Sequence, residues 1–156
     1  VQIWMIRLGN MQTLRQRLIQ IALEWEQVFG NVPSITSVIS EYDAAKLLGI
    51  DDATYSQIMQ NSTSVQRGHD FIFQGLKYQV KGTRPSGKKG SKITKVPQAK
   101  NYEWDYLIWI SYYPDYSISE AWMWNVKSYR AEFEAKHRIS PLDMRKGIDL
   151  LNISTK

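Results

Sequence analysis

The stretch that decides the fold is Asp70-Phe71-Ile72-Phe73-Gln74-Gly75-Leu76-Lys77-Tyr78-Gln79-Val80-Lys81. Two β-rich runs, 70–73 and 76–81, flank Gln74-Gly75, and together they read as a β-hairpin. With Gln74 and Gly75 as the loop, paired positions sum to 149, which sets Asp70 directly opposite Gln79. Side chains recur on one face every second residue, so Lys81 shares the face of Gln79. Directly opposed residues hold their Cβ atoms roughly 4.5–5.5 Å apart. An acid, an amide and a lysine therefore meet at one end of the hairpin. Gln is not the usual residue for a left-handed turn position, and a bulge there would change the register.

Upstream the period is helical. From Asn10 to Phe29, the residues Met11, Leu14, Leu18, Ile21, Ala22, Trp25 and Phe29 recur at three- and four-residue steps, with Gly30 as the stop. This face assigns Trp25 to core packing. A second helix runs from about Ile35 or Ser40 to Leu48, closed by Gly49, and a short third one from Asp51 to Gln60. Downstream, Gly82 to Lys100 is a long loop with Pro85, Gly87, Gly90 and Pro97. Strands Tyr106–Tyr112 and Tyr116–Trp124 follow, joined at Pro114-Asp115, then a helix from Val126 to His137 and a last helix from Asp143 to Leu151. The order predicts an α/β fold with a helix-flanked sheet of about four strands. It also predicts one domain over 1–156, with N-terminal helices 10–60, a hairpin at 70–82, a loop at 82–104, and strands and C-terminal helices at 105–151.

A chain of 156 residues can bury a core without covalent staples, and it has no cysteine. That excludes disulfide frameworks, cysteine-based zinc sites and cysteine nucleophiles. Its longest apolar runs, such as Tyr106–Ile110, are far too short to span a bilayer. Val1–Ile6 lacks a basic flank and a small-residue cleavage site, so the expected setting is intracellular, in the cytoplasm or at the nucleoid. The net charge is +5, and its distribution is uneven. Arg67 to Trp104 holds nine basic residues and two acids, while the rest of the chain is slightly acidic. Focused positive charge is the footprint of a polyanion. The bland alternative is a solvated lysine-rich loop.

The trio Asp70, Gln79 and Lys81, in this order of elements, resembles the PD-(D/E)xK nuclease superfamily, with its restriction-endonuclease-like core. The matching letters are Gly68-His69-Asp70, eight intervening residues, then Gln79-Val80-Lys81, and the resemblance covers about Ile35 to His137. It implies a mixed sheet flanked by helices and a Mg²⁺-dependent DNA endonuclease, with Mn²⁺ as a substitute ion. By that resemblance Asp70 is the central metal ligand, the Val80 carbonyl a second, and Gln79 fills the place of the usual acid. Lys81 would polarise the attacking water and offset developing negative charge. Some members with this glutamine recover an acid from the preceding helix. Glu41 is the candidate here, with Asp43 as its substitute if the helix is rotated, and a helix-terminal acid as the plain reading of Glu41. The family also implies double-stranded DNA as partner, no membrane, and a homodimer.

The basic loop supplies the expected DNA contacts: Arg84, Lys88, Lys89, Lys92, Lys95 and Lys100. Gly82-Thr83-Arg84-Pro85-Ser86-Gly87-Lys88-Lys89 nearly matches a nucleotide-binding phosphate loop, but Lys89 replaces the metal-binding hydroxyl and no helix follows Lys88. An NTPase is therefore rejected. Asn101-Tyr102-Glu103-Trp104 is the aromatic set placed for contact with bases. The rival to the enzyme is a nuclease-fold module that Gln79 has left weak or inactive, and which only holds nucleic acid.

Overall fold

The computed structural model describes residues 11–62 and 68–153; Val1–Ile6, Asn10 and Arg67 lie outside the described residues. The chain divides into two compact units, residues 1–35 and 36–156.

In the first unit, α1 (Leu14–Phe29) begins at a capping box. The Thr13 hydroxyl accepts from the Gln16 N–H at 3.1 Å, and the Gln16 amide oxygen accepts from the Thr13 N–H at 2.8 Å. Gly30 ends the helix at φ +82°, donating its N–H to the Glu26 carbonyl. Trp25 departs from expectation: it stands 49% exposed, leaning on Phe29 with ring centroids 4.6 Å apart.

The second unit opens with α2 (Thr36–Leu47) and α3 (Asp52–Asn61), the latter capped by Asp51 accepting from Thr54 N–H at 2.7 Å. A mixed sheet of five strands follows, in the order β1 (Phe71–Phe73), β2 (Leu76–Thr83), β3 (Tyr106–Tyr112), β4 (Ile118–Asn125) and β5 (Ile148–Asp149). Helices α4 (Val126–Phe133), α5 (Pro141–Met144) and α6 (Leu150–Ile153) complete it. The class is α/β, as expected, with one strand more than the four expected. The extra strand interrupts the helix expected over 143–151. Gly147 is the reason: a Cβ there would stand 2.8 Å from the Met123 carbonyl, so only glycine lets the chain close on β4 and pair Ile148 with Met123. Strand β4 starts at Ile118 instead of Tyr116, because Tyr116 sits at φ +67° in the preceding turn.

The hairpin has the predicted register, with Phe71 opposite Tyr78 and Ile72 opposite Lys77. Gln74 at φ +51° and Gly75 at φ +77° form the left-handed pair of a type I′ turn, so no bulge intervenes. The next pairing is parallel: Tyr78 lies beside Tyr106 and Thr83 beside Ser111. A parallel neighbour requires a crossover, and helices usually supply it. Here the lysine-rich segment 84–105 is itself the crossover. Its second half is anchored: Val96 donates its N–H to the Ile139 carbonyl at 2.9 Å. Val96, Ala99 and Trp104 join Leu107, Trp109, Trp124, Tyr129, Phe133, Ile139 and Met144 in one core cluster. On the other face α2 lies close to β2. A Cβ on Gly82 would stand 2.6 Å from that of Ser40, an approach only glycine permits. Among the described residues no helix is long and apolar enough to cross a membrane.

Candidate active site

The site grows from the mouth of the hairpin. Asp70 donates its N–H to the Tyr78 carbonyl at 2.8 Å, which extends the β1–β2 ladder by one rung. Its carboxylate Oδ2 accepts from the Val80 N–H at 2.7 Å, a charge-assisted bond that fixes the side chain across the end of the pair. Gln79 and Lys81 alternate with buried Tyr78 and Val80, and both are half-buried. They share one face of β2, beside Leu107 and Trp109 of β3.

Helix α2 carries the two acids that the sequence left as alternatives, and it places them differently. Asp43 is buried and accepts from the Tyr112 hydroxyl at 2.7 Å, under β3. Glu41 instead reaches Asp70, and the two carboxyls are hydrogen-bonded to each other. Glu41 is the sixth residue of α2, beyond the first turn, so a helix-terminal role does not account for it. Its neighbour in sequence, Ser40, is the residue seated on Gly82, so the tight helix–strand contact holds Glu41 in place.

The electrostatics follow from this arrangement. Burial, then the Asp70 charge and the shared hydrogen bond, raise the Glu41 carboxyl from 4.5 to about 7. Burial also raises Asp70, while the Val80 N–H, the Lys81 ammonium, Glu41 and His69 pull it back down. The proton between the acids therefore belongs to Glu41, and Asp70 carries the charge. Tyr55, a residue that sequence reasoning did not single out, faces the same pair. Burial first, then the charges of Glu41 and Asp70, push its hydroxyl up to about 12. Nothing in the letters of α3 marks Tyr55; only the packing of α3 beside β1 brings it near. It completes an aromatic wall, with its ring 5.6 Å from Tyr42 and 6.4 Å from Phe71.

The contacts bring together Glu41, Asp70, the Val80 N–H and the Lys81 charge, while Gln79 lies on the face of β2 opposite the one that Gly82 turns toward α2. Carboxylate oxygens are the donors a hard divalent cation prefers, and two acids sharing one proton are a pair that a cation can take over by displacing it.

Around this centre the basic residues divide. Lys88, Lys89, Lys92, Lys95 and Lys100 are all exposed. Arg84 is half-buried: it donates to the Pro114 carbonyl at 2.8 Å, with its guanidinium 4.9 Å above the Tyr116 ring. It braces the start of the crossover against the β3–β4 turn. The aromatic set at the other end of the loop is also committed. Trp104 is buried and donates to the Asn101 carbonyl at 2.8 Å, and Tyr102 lies under Arg130, so the expected base contact from Trp104 is corrected to core packing. The phosphate-loop resemblance over 82–89 fails as expected, since no helix follows Lys88. In comparison with known proteins, no family model matches the chain and no curated protein matches it.

Proposed function

We propose that this chain is a Mg²⁺-dependent endodeoxyribonuclease that hydrolyses phosphodiester bonds in double-stranded DNA. The observation that carries the proposal is the hydrogen-bonded pair of Glu41 and Asp70, set at the mouth of the hairpin whose next strand carries Gln79 and Lys81. Glu41 and Asp70 would hold the cation, with Gln79 and the Val80 carbonyl as the further ligands that the resemblance implies. When bound there, Mg²⁺ would polarise a phosphoryl oxygen and acidify water. The chain's own residues do the rest. Asp70 is kept in place by the Val80 N–H, Glu41 would release its proton to solvent when the pair takes up a cation, and Lys81 would offset charge that develops on the phosphate. The exposed lysines of the crossover would hold the flanking backbone.

A second reading has its own support in Gln79. A neutral amide where the nucleases it resembles usually carry an acid weakens the attraction for a cation, which favours a module that holds nucleic acid without cutting it. One assay separates the two. Plasmid incubated with protein and Mg²⁺ or Mn²⁺ should be nicked, and Lys81→Ala should abolish nicking while leaving gel-shift binding intact. Binding without metal-dependent nicking in the unaltered protein would reject the enzyme in favour of the module.

A further inference from the structure

Helix α1 carries a pattern that the proposed cleavage does not use. Within the helix Leu18 and Trp25 stand seven residues apart, as do Leu14, Ile21 and Val28 in succession, and the two series alternate by three and four; Met11 continues the spacing in the letters but precedes the Thr13 cap. This is the a and d spacing of a coiled-coil seam, here about two heptads long. In a folded domain such a stripe normally packs inward. Here Leu18 is half-buried, and the other four side chains stand open to solvent, from 49% for Trp25 to 79% for Leu14. Trp25 and Phe29 add a continuous aromatic step at one end of the stripe.

We propose that two copies of this chain associate through this seam, with their α1 helices antiparallel. The flanking charges select a second copy as the occupant and fix its direction. Arg17 and Glu24 occupy the two g positions beside the seam, and both are exposed. In an antiparallel pair g faces g, so Arg17 of one copy meets the partner's Glu24. Twofold symmetry then makes the same contact a second time. A parallel, in-register pair would instead set Arg17 against Ala22 and Glu24 against Phe29, leaving both charges without a match across the seam. The apolar layers agree. Antiparallel pairing sets Trp25 on Leu14 and Leu18 on Ile21, so the one large ring meets an aliphatic side chain in each copy. Parallel pairing would drive Trp25 against its own symmetry mate. Opposed helix dipoles add a smaller term in the same sense. A seam this short predicts a concentration-dependent dimer.

Sedimentation velocity of the full chain, over a dilution series at low salt, tests this. Sedimentation should shift from monomer to dimer as concentration rises, and Ile21→Asp should abolish the shift. The charge exchange is the decisive measurement, because both positions are exposed and leave folding alone. Arg17→Glu or Glu24→Arg by itself should weaken the dimer about tenfold, since each reverses two surface pairs. The double variant R17E/E24R should restore wild-type association. A chain that stays monomeric throughout would overturn the proposal. A dimer that the double variant weakens as much as either single change would overturn it too. The proposal stands independently of the cleavage reading, since plasmid nicking plays no part in its test.

Discussion

Replacing Glu41 by Gln should change how stability depends on pH, and the direction follows from the site. The Glu41 carboxyl titrates near 4.5 in an unfolded chain and at about 7 in the fold. Between these values the native state holds a proton that the unfolded state has lost. The stabilisation is therefore complete below pH 4.5 and disappears as pH rises through about 7. At about 1.36 kcal/mol per pH unit, the interval from 4.5 to about 7 would be worth about 3.4 kcal/mol for a fully buried group. Glu41 is only partly buried, so solvent screening reduces this to about 1.5 kcal/mol. The amide introduced by Glu41→Gln would offer Asp70 a permanent donor in place of the titrating proton. Urea unfolding with chelator present, at about pH 5 and about pH 7.5, should show the wild type losing about 1.5 kcal/mol that Glu41→Gln retains. Added Mg²⁺ should return the lost stability to the wild type at the higher pH and do little for the variant, because a ligand that binds only the native state stabilises by mass action. If both proteins lose stability equally across this range, the proton is not on Glu41 and the two carboxyls do not form the pair described.

Further outcomes follow from the same geometry. Asp70→Asn should abolish nicking while circular dichroism stays native, since the amide oxygen still accepts from the Val80 N–H; retained Mg²⁺-dependent nicking would remove Asp70 from the site. Gln79→Glu should tighten Mg²⁺ binding, measured by calorimetry, because it adds a carboxylate; weaker binding would show that the neutral amide is required. Lys88, Lys89 and Lys92 changed together to Ala should flatten the slope of log affinity against log salt by roughly 2–3, with cleavage preserved at saturating DNA. An unchanged slope would mean these lysines do not touch phosphate. Gly82→Ala should destabilise by about 1–3 kcal/mol in thermal unfolding through overpacking against Ser40; a neutral effect would show that α2 shifts freely.

Much of this was legible in the letters because hairpins are local. Gln74-Gly75 and the alternation on either side determined the register, and from it the position of Asp70 relative to Gln79. The phase of α2 was not legible. Glu41 and Asp43 are both acids on one short helix whose exposed and buried sides differ little in composition, and only the Gly82–Ser40 approach and the Tyr112 hydroxyl distinguish them. The parallel pairing of β2 with β3 was hidden as well, since a crossover without a helix leaves no periodic trace. Trp104 misled because a tryptophan after a run of lysines suggests bases, whereas here the chain turns it into the core. Strand β5 was read as helix because it has two residues and depends on a glycine contact made far away in sequence.

The crossover has a consequence for how this protein tolerates change in length. To bring β3 alongside β2, the chain must travel back along about six residues of strand, about 20 Å, which six or seven extended residues would cover. Segment 84–105 is far longer than that, and the surplus is not spread evenly. From Ile93 onward the chain is tied down: Ile93 packs on the core cluster, the Thr94 hydroxyl accepts from Arg138 at 3.1 Å, and Val96 is buried. Residues 86–92 instead loop outward from Arg84 with exposed lysines at the rim. The outward part can therefore be lengthened, trimmed or recoded without altering the sheet, whereas the returning part is as fixed as any strand. One connection thus combines a variable contour facing outward with an invariant seal facing inward. A family of designed variants could explore the first part freely while the second stays constant.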